Sequence, residues 1–310
     1  MSREAAAARS GQSIQDTVCE QKALFIPEST VILVIGGGDL GTGVAHRLHR
    51  AGFKVVVTEL AEPTVIRRAV AFASAAYEGQ VDVDGVEARL VSGIESVWPL
   101  LEQHIVPVLA DPEGTARSSL KPHVIVDARM AKRNLGVTLN DAPIVIGLGP
   151  GFSAGDDVHA VVETNRGHNL GRLILKGKAE PNTREPGRVH GHGRQRVLWA
   201  PCAGRLRSEA RIGEQIEETQ VVAWVEEQAV RASISGVLRG LAHDGLLVRK
   251  GQKVGDIDPR GITEYCFTIS DKARAIGGSV LEAILHLRQH LTTQGSSVKV
   301  SAERSAEDGL

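Results

Sequence analysis

The sequence predicts an α/β protein built on a doubly wound parallel sheet, followed by a small all-β unit and a C-terminal helix. Three observations lead there. Short β-branched runs alternate with helical segments from Val31 onward. Two glycine-rich turns, GGGDLGTG from Gly36 and GLGPG from Gly147, each follow such a run directly. A weak internal duplication fills residues 200 to 258. The expected boundaries are a leader over 1–29, a ligand-binding domain over 30–177, a linker over 178–197, the β unit over 198–258, a helical segment over 259–293 and a tail over 294–310.

Residues 1–29 are small and polar without a sustained period, which predicts a flexible leader. VILVI, LGTGVAHRLHRAG, KVVVTE and PTVIRRAVAFASAAY then read as strand, helix, strand, helix. On the first helix Leu40, Val44 and Leu48 line one face, while His46, Arg47, His49 and Arg50 point mostly to water. Asp84-Gly85 at the centre of GQVDVDGVEARLV predicts a type I′ hairpin. IVPVLA, HVIVDA and PIVIG complete about five parallel strands, with connections long enough for crossovers. DVHAVVET and LGRLILKG predict a hairpin around Asn165 to Leu170, and AEPNTREPGRVHGHGRQR, rich in Pro, Gly and charge, a linker.

The duplication pairs GRLRSEARIGEQIEETQVVAWV with GVLRGLAHDGLLVRKGQKVGDI, each half running glycine, strand, polar turn, glycine turn, strand. This layout resembles the barrel-sandwich hybrid of biotinyl and lipoyl domains. Their attachment lysine lies in the hairpin between the halves; here that place holds Glu226, Glu227 and Gln228, so no covalent biotin or lipoate is expected. Ser270 or Asp271 caps the last helix, whose apolar stripe is Ala273, Ile276, Val280, Ile284 and Leu287.

Composition excludes several classes of function. The 36 basic and 37 acidic residues nearly cancel, leaving no field to recruit nucleic acid or an anionic membrane. With 42% apolar and only 3% aromatic residues the core must be aliphatic. Cys19, Cys202 and Cys266 lie far apart, without the spacing of a zinc site, redox dithiol or disulfide framework, and no metal site is expected. No apolar run reaches the roughly 18 residues that span a bilayer. A cytoplasmic protein is expected.

Gly36, Gly38 and Gly41 fit G-x-G-x-x-G between a strand and a helix, with Glu59 about 20 residues on at the end of the next strand. Such a Rossmann-like turn lets backbone approach phosphate at a helix N-terminus, and the acid can meet a ribose hydroxyl. Asp39 argues against a plain dinucleotide site, since its charge sits where pyrophosphate would lie unless it is turned away or holds a cation. The second turn offers Gly149, Gly151 and Ser153, although Pro150 lacks an amide proton. His159 and Glu163 share a strand face and could move protons; with no nucleophile beside them, a structural pair is the preferred reading. Asp127, Arg129 and Lys132, in VDARMAKRN at another strand end, suit phosphate or carboxylate, whereas Arg133 reads as solvated.

Taken together, GGGDLGTGVAHRLHRAGF, TELAEPTVIRRAVAFA, VDARMAKRN, GLGPGFSAGDDVHAVVETNRGHNLGR and GQKVGDIDPRG resemble the YqeB-type accessory proteins of the selenium-dependent molybdenum hydroxylase system, from about Val31 to about Leu291. The resemblance implies a maturation factor that binds a molybdopterin-type cofactor or nucleotide and partners a xanthine dehydrogenase-like hydroxylase. It transfers no catalytic residue. The alternatives are an NAD(P)-dependent oxidoreductase resting on Gly36, Gly38, Gly41 and Glu59, and a docking module in which the β unit engages the hydroxylase without ligand.

Overall fold

The computed structural model describes residues 26–183 and 185–307. Of the expected leader, residues 1–25 lie outside the described residues, and Pro27–Ser29 forms a single 3-10 turn leading into the first strand.

Nine strands form one mixed sheet. They are β1 (Val31–Ile35), β2 (Lys54–Glu59), β3 (Gln80–Val83), β4 (Val86–Val91), β5 (Val106–Ala110), β6 (Val124–Asp127), β7 (Ile144–Leu148), β8 (Ala160–Val162) and β9 (Leu173–Ile174). Their order is β3-β4-β5-β2-β1-β6-β7-β8-β9. From β4 to β8 every pairing is parallel; β3 and β9 close the edges antiparallel. Chain order reverses at β1, so its carboxyl end and that of β6 border a crevice. The central strands are buried on both faces, which is why VILVI and VIVD read as continuous apolar runs instead of alternating ones.

The sheet is larger than the expected five strands, and its crossovers depart from a plain doubly wound fold. The helices are α1 (Asp39–Arg50), α2 (Ala75–Glu78), α3 (Val97–Glu102), α4 (Ala116–Leu120), α5 (Glu264–Phe267) and α6 (Asp271–Glu307). No α-helix joins β6 to β7 or β7 to β8. The C-terminal α6 fills that side, packing on α1, β7 and β8. Its expected stripe is confirmed: Ala273, Ile276, Val280 and Ile284 are fully buried with Leu287 packed beside them. Ser270 Oγ accepts the Ala273 amide at 3.2 Å and so caps it. The helix runs to Glu307, past the 293 boundary read from composition.

PTVIRRAVAFASAAY does not form the expected helix. It yields 3-10 turns at Arg68–Val70 and Phe72–Ser74 and then the short α2. Long-range bonds divert its backbone: the Phe72 amide donates to Thr42 Oγ1 at 2.8 Å and the Ala73 amide to the Gly37 carbonyl at 2.9 Å. The Asp84-Gly85 hairpin is present, with both residues at positive φ as a type I′ turn requires.

The duplicated segment forms two four-stranded antiparallel sheets around a core of its own. Its strands are β10 (Val197–Trp199), β11 (Gly204–Ser208), β12 (Gln215–Ile216), β13 (Val221–Val225), β14 (Gln228–Arg231), β15 (Gly236–Leu241), β16 (Leu247–Val248) and β17 (Lys253–Asp258). The two copies exchange their middle strands: β12 pairs with β15 of the second copy and β16 with β11 of the first. Neither half can close without the other. At the β13–β14 hairpin Glu226 adopts a left-handed conformation, and its carboxylate accepts the Arg205 amide at 2.7 Å.

Two imidazoles stitch the amino ends of neighbouring strands. His123 Nδ1 accepts the Val31 amide and His159 Nδ1 the Val145 amide, each at 3.0 Å, so both rings must stay neutral. Burial lowers the pKa of both, and of His46 and His49, below 6.5. A depressed histidine stabilises the fold fully above its unfolded pKa and loses that contribution as pH falls toward the folded value. The midpoint of thermal unfolding should therefore fall as pH drops below about 6.5, and less steeply in His159→Gln. A profile flat between pH 7 and 5 would contradict this assignment.

Candidate functional site

The first glycine turn joins β1 to α1, and each glycine in it does something different. Gly36 sits at φ +98, where an added Cβ would lie 3.0 Å from the Arg129 amide nitrogen. A Cβ on Gly41 would collide with the Gly36 carbonyl oxygen, so this glycine permits the helix to touch the turn. Gly38 is the opposite case: a Cβ there meets nothing within 4 Å and would project into open space. Gly38 is also the N-cap of α1, whose first amides have no intrahelical acceptor. Two glycines are thus needed for packing and the third keeps one spot of the cavity wall bare.

That wall belongs to a cavity of about 850 Å³ over the carboxyl ends of β1, β2, β5 and β6. Gly36, Gly38, Gly41, Asp39 and Glu59 border it. Glu59 closes the turn from the β2 side: Oε1 accepts the Gly37 amide and Oε2 the Leu60 amide, each at 2.9 Å. Burial raises its pKa and the two amides oppose that rise. Asp39 is neutralised in part by Arg67, whose Nη1 stands 3.5 Å from its carboxylate. The repulsion expected of Asp39 is therefore answered by a cation that the sequence had placed in a helix.

Asp127 does not border the cavity. Fully buried, it accepts the Arg129 amide and Nε at 3.1 Å and Nη2 at 2.5 Å, so it fixes the guanidinium, which does border it. Lys132 reaches the rim through a backbone held at φ +64, with Met130 also left-handed at φ +55. Non-glycine residues in that region are uncommon, and two so close mark a shaped loop.

The second glycine turn contributes packing. A Cβ on Gly147 would strike the Phe152 ring, and one on Gly149 the Thr164 side chain. Gly151, at φ +118, would place a Cβ 2.6 Å from the Arg133 amide nitrogen. Ser153 turns inward, its hydroxyl donating to Asp156 at 2.6 Å and its amide to Asp157 at 3.1 Å. None of Gly149, Gly151 and Ser153 borders a described cavity. The turn supports the 132–133 backbone from behind.

His159 and Glu163 lie at opposite ends of β8 and do not meet as a proton-transfer pair. His159 is occupied at the amino end as described above. Glu163, fully buried at the carboxyl end, accepts the amides of Asn165 at 2.6 Å and Glu180 at 2.7 Å. Both fit the structural reading. Among the described residues no group of His, Cys, Asp and Glu is arranged to hold a metal ion.

A second chamber, of about 370 Å³, adjoins the first across Asp39, Leu40, Ile66, Arg67, Met130, Lys132 and Lys253, which line both. The segment read as a linker walls it: Glu180, Pro181, Asn182, Thr183, Glu185 and Gly187 all face it. Arg239 and Lys253 enter from the β unit and Lys272 from the first turn of α6. Sequence reasoning missed Arg67, Arg239, Lys253 and Lys272, because each lies in an element whose pattern reports only packing. The one available signal was Lys272, a cation in the first helical turn, where the macrodipole disfavours it.

No family model matches the sequence. A curated protein of Escherichia coli (strain K12), "Uncharacterized protein YqeB", is 49% identical over 257 residues, covering 83% of this chain. The chain is a homologue of YqeB. It spans about half the length of YqeB, 48%. No helix among the described residues is long and apolar enough to cross a membrane. Among solved structures, the product-bound ectoine utilization protein EutE (DoeB) from Ruegeria pomeroyi is 13% identical, with 74% of this chain and 84% of that one covered and a TM-score of 0.21. A succinylglutamatedesuccinylase/aspartoacylase from Rhodobacter sphaeroides is 14% identical over 74% and 85%, with a TM-score of 0.24. Scores this low assign neither fold nor activity to the YqeB homologue.

The contrast between glycines is testable without a ligand. Gly41→Ala should lower stability by about 3 kcal/mol, the upper range of overpacking, whereas Gly38→Ala should lose no more than about 1 kcal/mol, at the cap. Chemical denaturation of both variants checks this; equal losses would refute the division of roles.

Proposed function

We propose that the chain binds a phosphate-bearing nucleotide, or a pterin cofactor carrying phosphate or nucleotide, in the cavity over β1, β2 and β6. The observation that carries this is Gly38: its bare Cα faces the cavity beside the free amides of a 12-residue helix. Backbone amides and the positive end of a helix favour an anion there. The volume suits a small-molecule cofactor. Glu59 at the end of β2 stands where a Rossmann-like site meets a ribose hydroxyl, and the strand order β5-β2-β1-β6-β7-β8 supports the same comparison.

The residues present fit a molybdopterin-type cofactor at its anionic end, with Gly38 and the α1 amides to receive phosphate and Arg129 and Lys132 at the rim. Such a cofactor would supply the dithiolene ligation of molybdenum; the chain's own residues would bind it, orient it and shield its charge. Together with the sequence resemblance, this supports a role as accessory protein to a selenium-dependent molybdenum hydroxylase, handling the cofactor before the client enzyme receives it. Glu59 favours a second reading, an NAD(P)-dependent oxidoreductase. NADH oxidation in the presence of pterin or purine substrates separates the two, since a carrier leaves NADH untouched.

Gly38 has φ −64 and ψ 178, a conformation open to any residue. Gly38→Val should therefore fold normally, losing no more than about 1 kcal/mol at the cap, while its affinity for nucleoside diphosphates falls at least about tenfold. Calorimetric titration with ADP, CDP and GDP tests this and identifies the preferred base. Binding of equal strength in the variant, or none to the wild type at millimolar concentration, would overturn the proposal.

A further inference from the structure

The second chamber carries more positive charge than its own carboxylates can answer. Among the described residues, seven Lys and Arg line it against four Asp and Glu. Two of the carboxylates answer two of these cations, Asp39 facing Arg67 at 3.5 Å and Asp256 taking Arg196 at 2.6 Å, while Glu180 accepts the side-chain amides of Asn165 and Asn169. Glu185 stays exposed at the rim. Arg166, at the mouth, is bound to Asp271 through both terminal nitrogens.

What remains uncovered is specific. Among the described residues, the ammonium groups of Lys132, Lys253 and Lys272 have no hydrogen-bond or ion-pair partner. Lys253 and Lys272 are half-buried, and burial lowers the pKa of both, as expected where a charged form lacks a full set of partners. Arg67 and Arg239 are only 7% and 8% exposed, and the Nε of each is buried without an acceptor. Asp256 Oδ1 is likewise buried without a donor. A fold gains nothing from lining one chamber with three unmatched ammonium groups, so an anionic group from outside is the natural complement.

We infer that this chamber binds a compact small molecule bearing a phosphate or pyrophosphate group, gripped by Lys253 from β17, Lys272 from α6 and Lys132 from the loop after β6. Three ammonium groups from three separate elements present point charges around one volume, which suits an oxyanion with oxygens on several sides better than the planar fork of a carboxylate. Arg67 and Arg239 line the same wall and add positive charge. A volume of about 370 Å³ admits such a molecule and little more. Because the chamber opens onto the larger cavity, the anion would sit beside whatever occupies the glycine turn. The assignment goes beyond the nucleotide reading and stands without it.

Calorimetric titration of the full chain with inorganic pyrophosphate decides the matter, using wild type, Lys253→Met, Lys272→Met and Gly38→Val. Wild type and Gly38→Val should bind pyrophosphate equally, while each lysine variant loses at least about tenfold in affinity. Unliganded Lys253→Met and Lys272→Met should unfold no earlier than wild type, since each removes a half-buried charge that has no partner. Absence of binding to wild type would overturn the inference, as would undiminished affinity in both lysine variants. Loss of binding in Gly38→Val alone would also overturn it by placing the anion on the glycine turn. The response of Gly38→Val to nucleoside diphosphates tests the glycine-turn site separately, so either proposal can fail alone.

Discussion

Everything in the candidate site depends on α1 being held at backbone contact on two sides. On one side Gly41 rests on the carbonyl of Gly36; a single methyl group would push the helix off the turn. On the other, a Cβ on Gly43 would lie 2.9 Å from the Ala273 carbonyl, and one on Gly277 2.7 Å from the Gly43 carbonyl, so α1 and α6 meet main chain to main chain. These contacts align two helix N-termini beside the same sheet edge. They bring Asp39, Lys132, Lys253 and Lys272 around one opening, although they come from four remote parts of the chain. Thr42, bonded to the Gly37 carbonyl and by the Phe72 amide, locks the arrangement from below.

The distribution of charge follows from that geometry. Carboxylates near the opening are paired or capped: Asp127 orients Arg129, Glu163 holds two amides, and Asp258 is shared by Arg239 and Arg260. The cations are treated less generously. Lys132, Lys253 and Lys272 line the chamber with donors unfilled, an arrangement that costs stability in the free protein and that an anionic occupant would relieve. The β unit takes part in this, because β17 begins at the shared wall with Lys253 and the Arg239 side chain reaches the same space from β15. It is therefore part of the site and not an appended domain.

Much of the framework was legible in the sequence, for clear physical reasons. Continuous apolar runs mark strands buried on both faces, and the Asp84-Gly85 turn and the stripe from Ala273 to Leu287 are local signals with one structural meaning. The duplication survived as Gly204 and Gly213 recurring as Gly236 and Gly245. What escaped is non-local. The 3-10 turns at Arg68–Val70 and Phe72–Ser74 replace a helix because Thr42 and Gly37, distant in sequence, capture the amides of Phe72 and Ala73. The second glycine turn looked like a ligand grip and is packing, a distinction that depends on what faces each Cα and not on the glycine itself. The chamber was invisible for the same reason: a lysine that opens a strand carries no mark of the space it enters, and the misplaced cation in the first turn of α6 does not reveal which distant residues it meets.

The proposed occupant of the Gly36–Gly41 turn is a phosphate-bearing cofactor. The most direct test is to purify the protein from cells making molybdopterin, denature it and examine the released small molecules by mass spectrometry and pterin fluorescence. A stoichiometric pterin or nucleotide, bearing phosphate, should be released by the wild type and be missing from Gly38→Val. Release of no such compound, or the same yield from both proteins, would contradict it.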